Sequence, residues 1–177
     1  MIFGKRGFFF ILDAILAIGI LVIGVLFLTS SYIQLPQLTQ VSFLSDDLLS
    51  FLSDTKIKDL NNEYAGIGGE LWKNGTISNQ ENSLLQQASI FYKKNDLGTA
   101  EKFIQSSTNE LVPSQFRYEV WIDKTLIYPR NPSSQHSLSR NQTSLILASR
   151  KIAFGFLNQS TGEIWGPYEV EVYLWQK

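Results

Sequence analysis

The sequence predicts an α+β protein: a long N-terminal hydrophobic helix forms a stem, and a head follows with two short helices and a C-terminal antiparallel β-sheet. Two observations support this prediction. An apolar run fills residues 8–28, and the spacing of apolar residues changes from helical to alternating at Ser114. We therefore divide the chain into a basic leader at 1–7, a stem helix at 8–60 and a globular head at 61–177.

The apolar run is long enough to cross a membrane. It holds 21 residues, all apolar or glycine except Asp13, and at about 1.5 Å per residue the helix spans roughly 31 Å, close to the hydrocarbon thickness of a bilayer. A secretory signal is the alternative, but its apolar region is usually only about 7 to 15 residues long, so we favour an anchor. Lys5 and Arg6 precede the run, and no Lys or Arg follows it before Lys56. This asymmetry predicts a cytoplasmic N-terminus and an extracellular head.

The stem is expected to continue beyond the apolar run as an amphipathic helix to about Leu60, because apolar residues recur at spacings of two to four. Its first half would lie in lipid or protein, and its second half would lay one apolar face on the head. Pro36 removes one backbone donor, so a kink is expected between Tyr32 and Pro36. Asn61 and Asn62, with the glycines that follow, are predicted to end the helix.

The head is expected to begin with a loop at 61–82, which is rich in glycine and asparagine. Two short amphipathic helices are predicted next, at Ser83–Lys94 and Thr99–Leu111. Gly98 separates them, so they are expected to form a helical hairpin over 83–111.

Antiparallel strands are predicted over 114–177, where apolar and polar residues alternate. The residues expected on the buried face of the first and last strands are Phe116, Tyr118, Val120, Ile122, Tyr168, Val170, Val172 and Leu174. Residues 123–125 are predicted to turn the first strand back into a second one. Residues 131–141 are polar and contain the only histidine, His136, so we expect a surface loop there.

The third predicted strand changes parity along its length. The first apolar residues, Leu145 and Leu147, stand at odd positions. The later ones, Ile152, Phe154 and Phe156, stand at even positions. Because a strand keeps its parity, a β-bulge is expected near Ser149-Arg150. Three aromatic residues fall on strand faces opposite the expected core: Trp121, Tyr173 and Trp175. Either they form a subunit contact or they face a second core under the stem helix, and we favour the second core.

Composition argues against several classes of function. The net charge of −1 leaves no broad basic surface for nucleic acid, and the absence of cysteine leaves no disulfide or thiolate metal site. His136 has no second histidine with which to share a metal and no oriented triad. The paired acids Asp46-Asp47 and Glu169/Glu171 are expected to be solvated. We therefore expect no catalytic site, no cofactor and no metal.

Asp13 is the one acid in the apolar run. An acid deep in a membrane costs about 2.5 to 3.5 kcal/mol on insertion scales, so it is a functional residue by default and needs a partner. On a helical wheel Asp13, Ala17, Ile20 and Gly24 form one stripe, whose small residues let a neighbouring helix approach closely. The alternatives are that Asp13, about 9 Å into the span, is solvated at the cytoplasmic interface or is protonated.

The leader end Lys-Arg-Gly at 5–7, followed by the apolar residues 8–14, resembles the N-terminus of type IV pilins, especially archaeal pilin-like proteins with a class III signal peptide. The resemblance implies that prepilin peptidase cuts between Gly7 and Phe8. It also implies a proline-kinked helix with a mainly β head, and helices that bundle into a filament core. In the family an acid at the fifth mature position pairs with the N-terminal amine of a neighbouring subunit. Here Asp13, at the sixth position, would pair with the amine of Phe8.

The resemblance implies a structural homopolymer whose partners are copies of itself, the membrane before assembly, prepilin peptidase and the pilus assembly machinery. The heads would form the outer surface of an extracellular filament at the cell surface, for adhesion or motility. The alternative is a membrane-anchored extracellular adhesin, or a minor pilin-like component that does not form the main filament. Three sequons, at Asn74, Asn141 and Asn158, are compatible with N-glycosylation. Asn158 is the best candidate because a turn between strands is predicted there.

Overall fold

The protein has the predicted α+β class, with a long apolar N-terminal helix, smaller helices and a four-stranded antiparallel sheet at the C-terminus. The computed structural model describes residues 5–143, 145–158 and 162–177, except for the side chains of 5–9, 30–42 and 158.

Helix α1, Lys5–Asp54, is the first element. The chain divides into two compact units, Met1–Gln40 and Val41–Lys177, and α1 contributes to both. The backbone is helical at Pro36, and the kink predicted there stays a prediction.

Helix α1 ends at Asp54, short of the predicted end at Leu60. The chain beyond it finds other backbone partners, since the Ile57 N–H donates to the carbonyl of Asn82 at 3.0 Å. A short 3-10 helix, Ile57–Asp59, replaces the predicted last turns. Ile57 is fully buried, so this segment reaches the core without remaining α-helical.

The last part of α1 is amphipathic, as predicted. Leu48, Leu49 and Leu52 are buried in the core of the second unit. Asp46 and Asp47 are exposed. This stripe fixes the end of α1 on the head by apolar burial, at roughly 1.5 to 3 kcal/mol for each fully buried leucine.

The predicted helical hairpin is present as α3, Leu84–Lys93, and α4, Leu97–Thr108, after a short α2, Glu70–Lys73. A capping box starts α3: the Ser83 hydroxyl accepts from the Gln86 N–H, and the Gln86 side chain accepts from the Ser83 N–H. Each bond satisfies a backbone donor that the helix leaves free.

One antiparallel sheet contains the strands in the order β2-β1-β4-β3. The strands are β1, Phe116–Ile122; β2, Thr125–Tyr128; β3, Leu147–Asn158; and β4, Glu163–Gln176. Asp123 and Lys124 form the predicted turn between β1 and β2, with φ of 45° and 65°. Positive φ at both central positions is typical of the tight turns that match strand twist. Val120, Val172 and Leu174 are fully buried on the core face.

The predicted surface loop at 131–141 is instead largely helical, as α5, Ser134–Gln142. The Ser133 hydroxyl caps this helix by accepting from the His136 N–H at 3.2 Å. His136 is only 8% exposed, so the prediction of an exposed histidine was wrong. Helix α5 has no apolar stripe, because its polar side chains make the contacts with the sheet, and its sequence therefore resembles a loop.

The prediction of a bulge near Ser149-Arg150 was also wrong. The pairing of β3 with β4 is regular through these residues. Its register shifts at two later places, between Ala153 and Gly155 and between Phe156 and Asn158. The prediction assumed that the second apolar set faces the core, whereas all three residues are more than half exposed: Ile152, Phe154 and Phe156. The core positions of β3 are instead the small residues Ser149 and Ala153.

Gly166 lies on β4 opposite the first register shift of β3. We expect Gly166→Ala to lower the stability of the protein strongly. Gly166 has φ of 85°, and a Cβ there would lie 2.6 Å from the backbone oxygen of Ala153. We expect the substitution to lower the free energy of unfolding by about 3 kcal/mol, from left-handed strain and a clash that backbone cannot relieve. Urea unfolding of the full chain in detergent measures the loss.

Gly75→Ala is the matched control, because Gly75 has φ of 73° and no atom within 4 Å of its Cβ position. It carries the strain without the clash, and should cost only about 1 kcal/mol. Equal losses in the two variants would show that the close approach at Gly166 is unimportant.

Candidate functional site

Within the described residues, the first part of α1 has an exposed apolar surface with one acid in it, Asp13. The segment Phe10–Thr29 of α1 is 20 residues long, and none of it is buried within the described structure. Its length and composition are those of a membrane anchor, and a signal sequence near an N-terminus has the same properties.

The stripe predicted from the helical wheel lies within this segment. Asp13, Ala17, Ile20 and Gly24 are all exposed, and the helical backbone places them along one side of α1. No atom lies within 4 Å of the position that a Gly24 Cβ would occupy. A neighbouring helix can therefore approach the backbone here. Among the described residues, none donates a hydrogen bond to Asp13 and none forms an ion pair with it.

The predicted processing site lies between Gly7 and Phe8, in the first turns of α1. The side chains of both residues lie outside the described part of the structure. Whether a peptidase cuts there stays a prediction.

The structure describes the side chains of two of the three predicted glycosylation sites. Asn74 is exposed after α2, and its Oδ1 accepts from the Thr76 N–H at 3.0 Å. Asn141 is exposed in the last turn of α5. The side chain of Asn158, and the two residues that complete its sequon, lie outside the described residues.

Helix α5 covers the second face of the sheet, where the predicted cover was the stem helix. Trp175 is fully buried, its ring lies 4.9 Å from that of His136, and its Nε1 donates to the Ser139 hydroxyl at 3.1 Å. The Arg140 guanidinium lies 5.8 Å from the Trp121 ring centroid and 5.6 Å from that of Tyr173. The three aromatic residues therefore contact α5, which the sequence reasoning had assigned to a loop.

A buried carboxylate holds α5 on this face. Glu119 is 2% exposed, and its carboxylate accepts from Arg140 at 2.9 Å and from Trp121 Nε1 at 2.9 Å. His136 Nε2 lies 3.3 Å from the same carboxylate. Burial lowers the pKa of His136, and the Glu119 carboxylate opposes that shift, whereas Arg117 and Arg140 add to it.

This cluster, which we call the Glu119 clamp, was missed by sequence reasoning. Glu119 is absent from the residues predicted for the buried face of the first strand, and His136 was assigned to a loop. The clamp contains an acid and an imidazole, but Arg140 and Trp121 already occupy the carboxylate and α5 covers it. Its arrangement fits the attachment of α5 to the sheet better than acid–base chemistry on a substrate.

The paired acids on β4 are less solvated than predicted. The Glu171 side chain is 12% exposed and binds Arg150 Nε at 2.8 Å, whereas Glu169 is 42% exposed and lies 3.3 Å from the same guanidinium. In the described part of the chain, no group of three potential ligands could hold a metal ion.

Comparison of the chain with protein-family models, with curated proteins and with solved structures finds no match.

The Glu119 clamp predicts that Glu119→Leu lowers the free energy of unfolding by about 2 to 3 kcal/mol. The substitution removes the acceptor from three donors and leaves His136 and Arg140 without their anion in a largely buried site. Chemical denaturation of the full chain in detergent measures the change. Glu169→Leu is the control, because its ion pair is exposed and should contribute less than about 1 kcal/mol. A Glu119 variant as stable as the control would contradict the clamp.

The lowered pKa of His136 predicts acid sensitivity. Because the pKa in the folded state lies below the ordinary value of 6.5, the unfolded chain binds the proton more readily. This contribution to stability is complete above that pH and is lost as the pH falls below it. We expect the stability of the protein to decrease as the pH falls below about 6.5. In His136→Gln that decrease should be smaller, and an unchanged slope would refute the assignment.

Proposed function

We propose that this protein is a pilin-like subunit of an extracellular filament, assembled by bundling of its N-terminal helices. The observation that carries the proposal is the exposed apolar segment Phe10–Thr29 with a single acid, Asp13. The basic leader that precedes the segment supports the proposal through its resemblance to the type IV pilin N-terminus.

The apolar segment suits two environments in turn. Before assembly the helix lies in the membrane, with its N-terminus in the cytoplasm and its head outside. After assembly the same side chains pack against the helices of neighbouring subunits. Lipid and a helix bundle are similarly apolar, so the transfer depends on close packing and on polar contacts between helices.

Asp13 sets the register of the bundle in this proposal. A carboxylate in an apolar helix core is costly unless a cation meets it. Cleavage after Gly7 would create a new amine at Phe8, and the Phe8 amine of a neighbouring subunit would supply that cation. Ala17 and Gly24 lie on the same side of the helix and would let the two helices approach.

The head forms the outer surface of the filament in this proposal. Its sheet is packed on both faces, by the main core and by α5. The exposed Asn74 and Asn141 would be accessible to glycosylation there. The heads would serve adhesion or motility, and the protein would have no enzymatic role.

The proposal predicts that Asp13→Ala abolishes filaments while membrane insertion persists. The substitution removes the charge that fixes the register, and it makes the segment more apolar. The full chain is expressed with prepilin peptidase and the pilus assembly machinery, and filaments are counted by electron microscopy beside the protein in the membrane fraction.

Asp47→Ala is the matched control, since Asp47 is an exposed acid on α1 outside the apolar segment. It should leave filaments intact. Normal filaments in Asp13→Ala would refute the role of Asp13 in register. Absence of filaments in every variant, with a stable membrane-bound protein, would favour the anchored adhesin or minor component.

A further inference from the structure

The second face of the sheet is covered by α5 over part of its width only. Helix α5 contacts side chains of β1 and β4 there, namely Trp121, Tyr173 and Trp175. The side chains that β3 and the start of β4 present on this face remain exposed. Its large apolar members are Ile152, Phe154, Phe156 and Ile164, which we call the β3 patch.

The four side chains of the β3 patch lie on one face and next to one another. Phe156 is directly opposite Ile164 in the strand pairing. Ile152 and Phe154 precede Phe156 at intervals of two residues, and residues two apart on a strand share a face. Ala153, between them, is buried in the core. The four are between 56% and 68% exposed, so they form one continuous apolar surface.

The cations of β3 are already paired within the chain. Arg150 lies on the same face as the patch, and its guanidinium binds Glu171 at 2.8 Å and Glu169 at 3.3 Å. Lys151 donates to the Ser53 hydroxyl at 2.6 Å. Neither cation is free to bind a lipid phosphate, so an anionic membrane surface is a poor partner for this face. Two copies of the face can meet without strong repulsion, because Arg150 is neutralised in each copy.

The size of the exposed surface suits a protein partner. At roughly 150 to 200 Å² for each complete side chain, the exposed fractions of the β3 patch give about 400 Å² of apolar surface. The exposed Ala148 and the stem of Arg150 extend it along β3 to roughly 600 Å². Stable interfaces bury about 600 to 1,000 Å² on each partner, so the extended surface reaches the lower limit of that range.

We propose that the β3 patch docks on the β3 patch of a second copy of the chain, so that two heads pair about a two-fold axis. In a two-fold contact the same surface serves both partners, and the head needs no second complementary surface. The apolar side chains of the two patches then cover one another. Subunits within a helical filament meet through heterologous contacts. In the proposed filament, this pairing therefore joins heads of different filaments, and it does not depend on bundling of the stem helices.

The test uses the full chain in phosphatidylcholine nanodiscs that hold one copy each, so that the stem helices of two copies cannot meet. The chain contains no cysteine, and single cysteines are introduced by Ala148→Cys, Ile152→Cys and Ile164→Cys. A short bismaleimide should link at least one of these variants into a covalent dimer, because equivalent positions approach one another across a two-fold axis. Ile67→Cys, at an exposed apolar residue of the head outside the patch, is the matched control and should stay monomeric.

Two further substitutions test which side chains hold the pair, each combined with the cysteine that gives the best cross-link. Phe154→Ser and Ile164→Ser should each lower the rate of cross-linking more than tenfold, because large side chains at the centre of an interface supply most of its affinity. Where Ile164→Cys is the best variant, Phe156→Ser replaces the second of them. Ile67→Ser should leave the rate unchanged. Unfolding curves show that each variant is folded, and replacement of exposed side chains should preserve the fold.

Several results would overturn the proposal. Absence of a dimer at all three cysteines, equal cross-linking of Ile67→Cys, or a rate that neither serine variant lowers would each do so. Cysteines that a water-soluble maleimide cannot reach in the discs would assign the patch to the lipid surface instead. Because each disc holds one stem, none of these results bears on the bundling of stem helices.

Discussion

The free energy of covering one apolar helix constrains this protein more than any other interaction. Large aliphatic and aromatic side chains from Phe10 to Leu28 are between about half and three-quarters exposed. At about 1.5 to 3 kcal/mol for a fully buried side chain, leaving them in water costs on the order of 20 kcal/mol. That exceeds the stability of an ordinary domain, about 5 to 15 kcal/mol. Lipid or contacts with other helices would each remove this cost, because both environments are apolar. Apolar burial does not distinguish the two environments. The polar residue of the segment, Asp13, is the one whose free energy differs between them.

In the head, the sheet is covered on two faces, and each face is covered by different contacts. The end of α1, with α3 and α4, packs on the main core through leucine, isoleucine and phenylalanine side chains. Helix α5 is too polar for that and is held through Glu119, Arg140 and His136 instead. A buried ion cluster is weak evidence of stability in itself, but breaking it leaves uncompensated charge. The attachment of α5 is therefore more sensitive to pH than the main core is.

The sequence predicted the elements whose signals are local and periodic. The long helix, the helical hairpin, the turn at Asp123 and Lys124 and the antiparallel sheet all follow from spacing and turn chemistry. Helix α5 could not be predicted, because its contacts with Glu119 and Trp175 join residues far apart in the chain. The bulge was misplaced because Phe154 and Phe156 were assumed to be buried, although apolar residues are often exposed. Of the candidate sites, the stripe of Asp13 can be read from helical spacing alone. The Glu119 clamp depends on contacts between β1 and α5, which no local pattern encodes.

The central claim is that the apolar helix is released from its leader and becomes the core of a filament. Mass spectrometry of the N-terminal peptide, on protein recovered from assembled filaments, tests this claim most directly. The expected chain begins at Phe8, whose amine is then available to the Asp13 carboxylate of a neighbouring subunit. An intact Met1 in assembled filaments would contradict it.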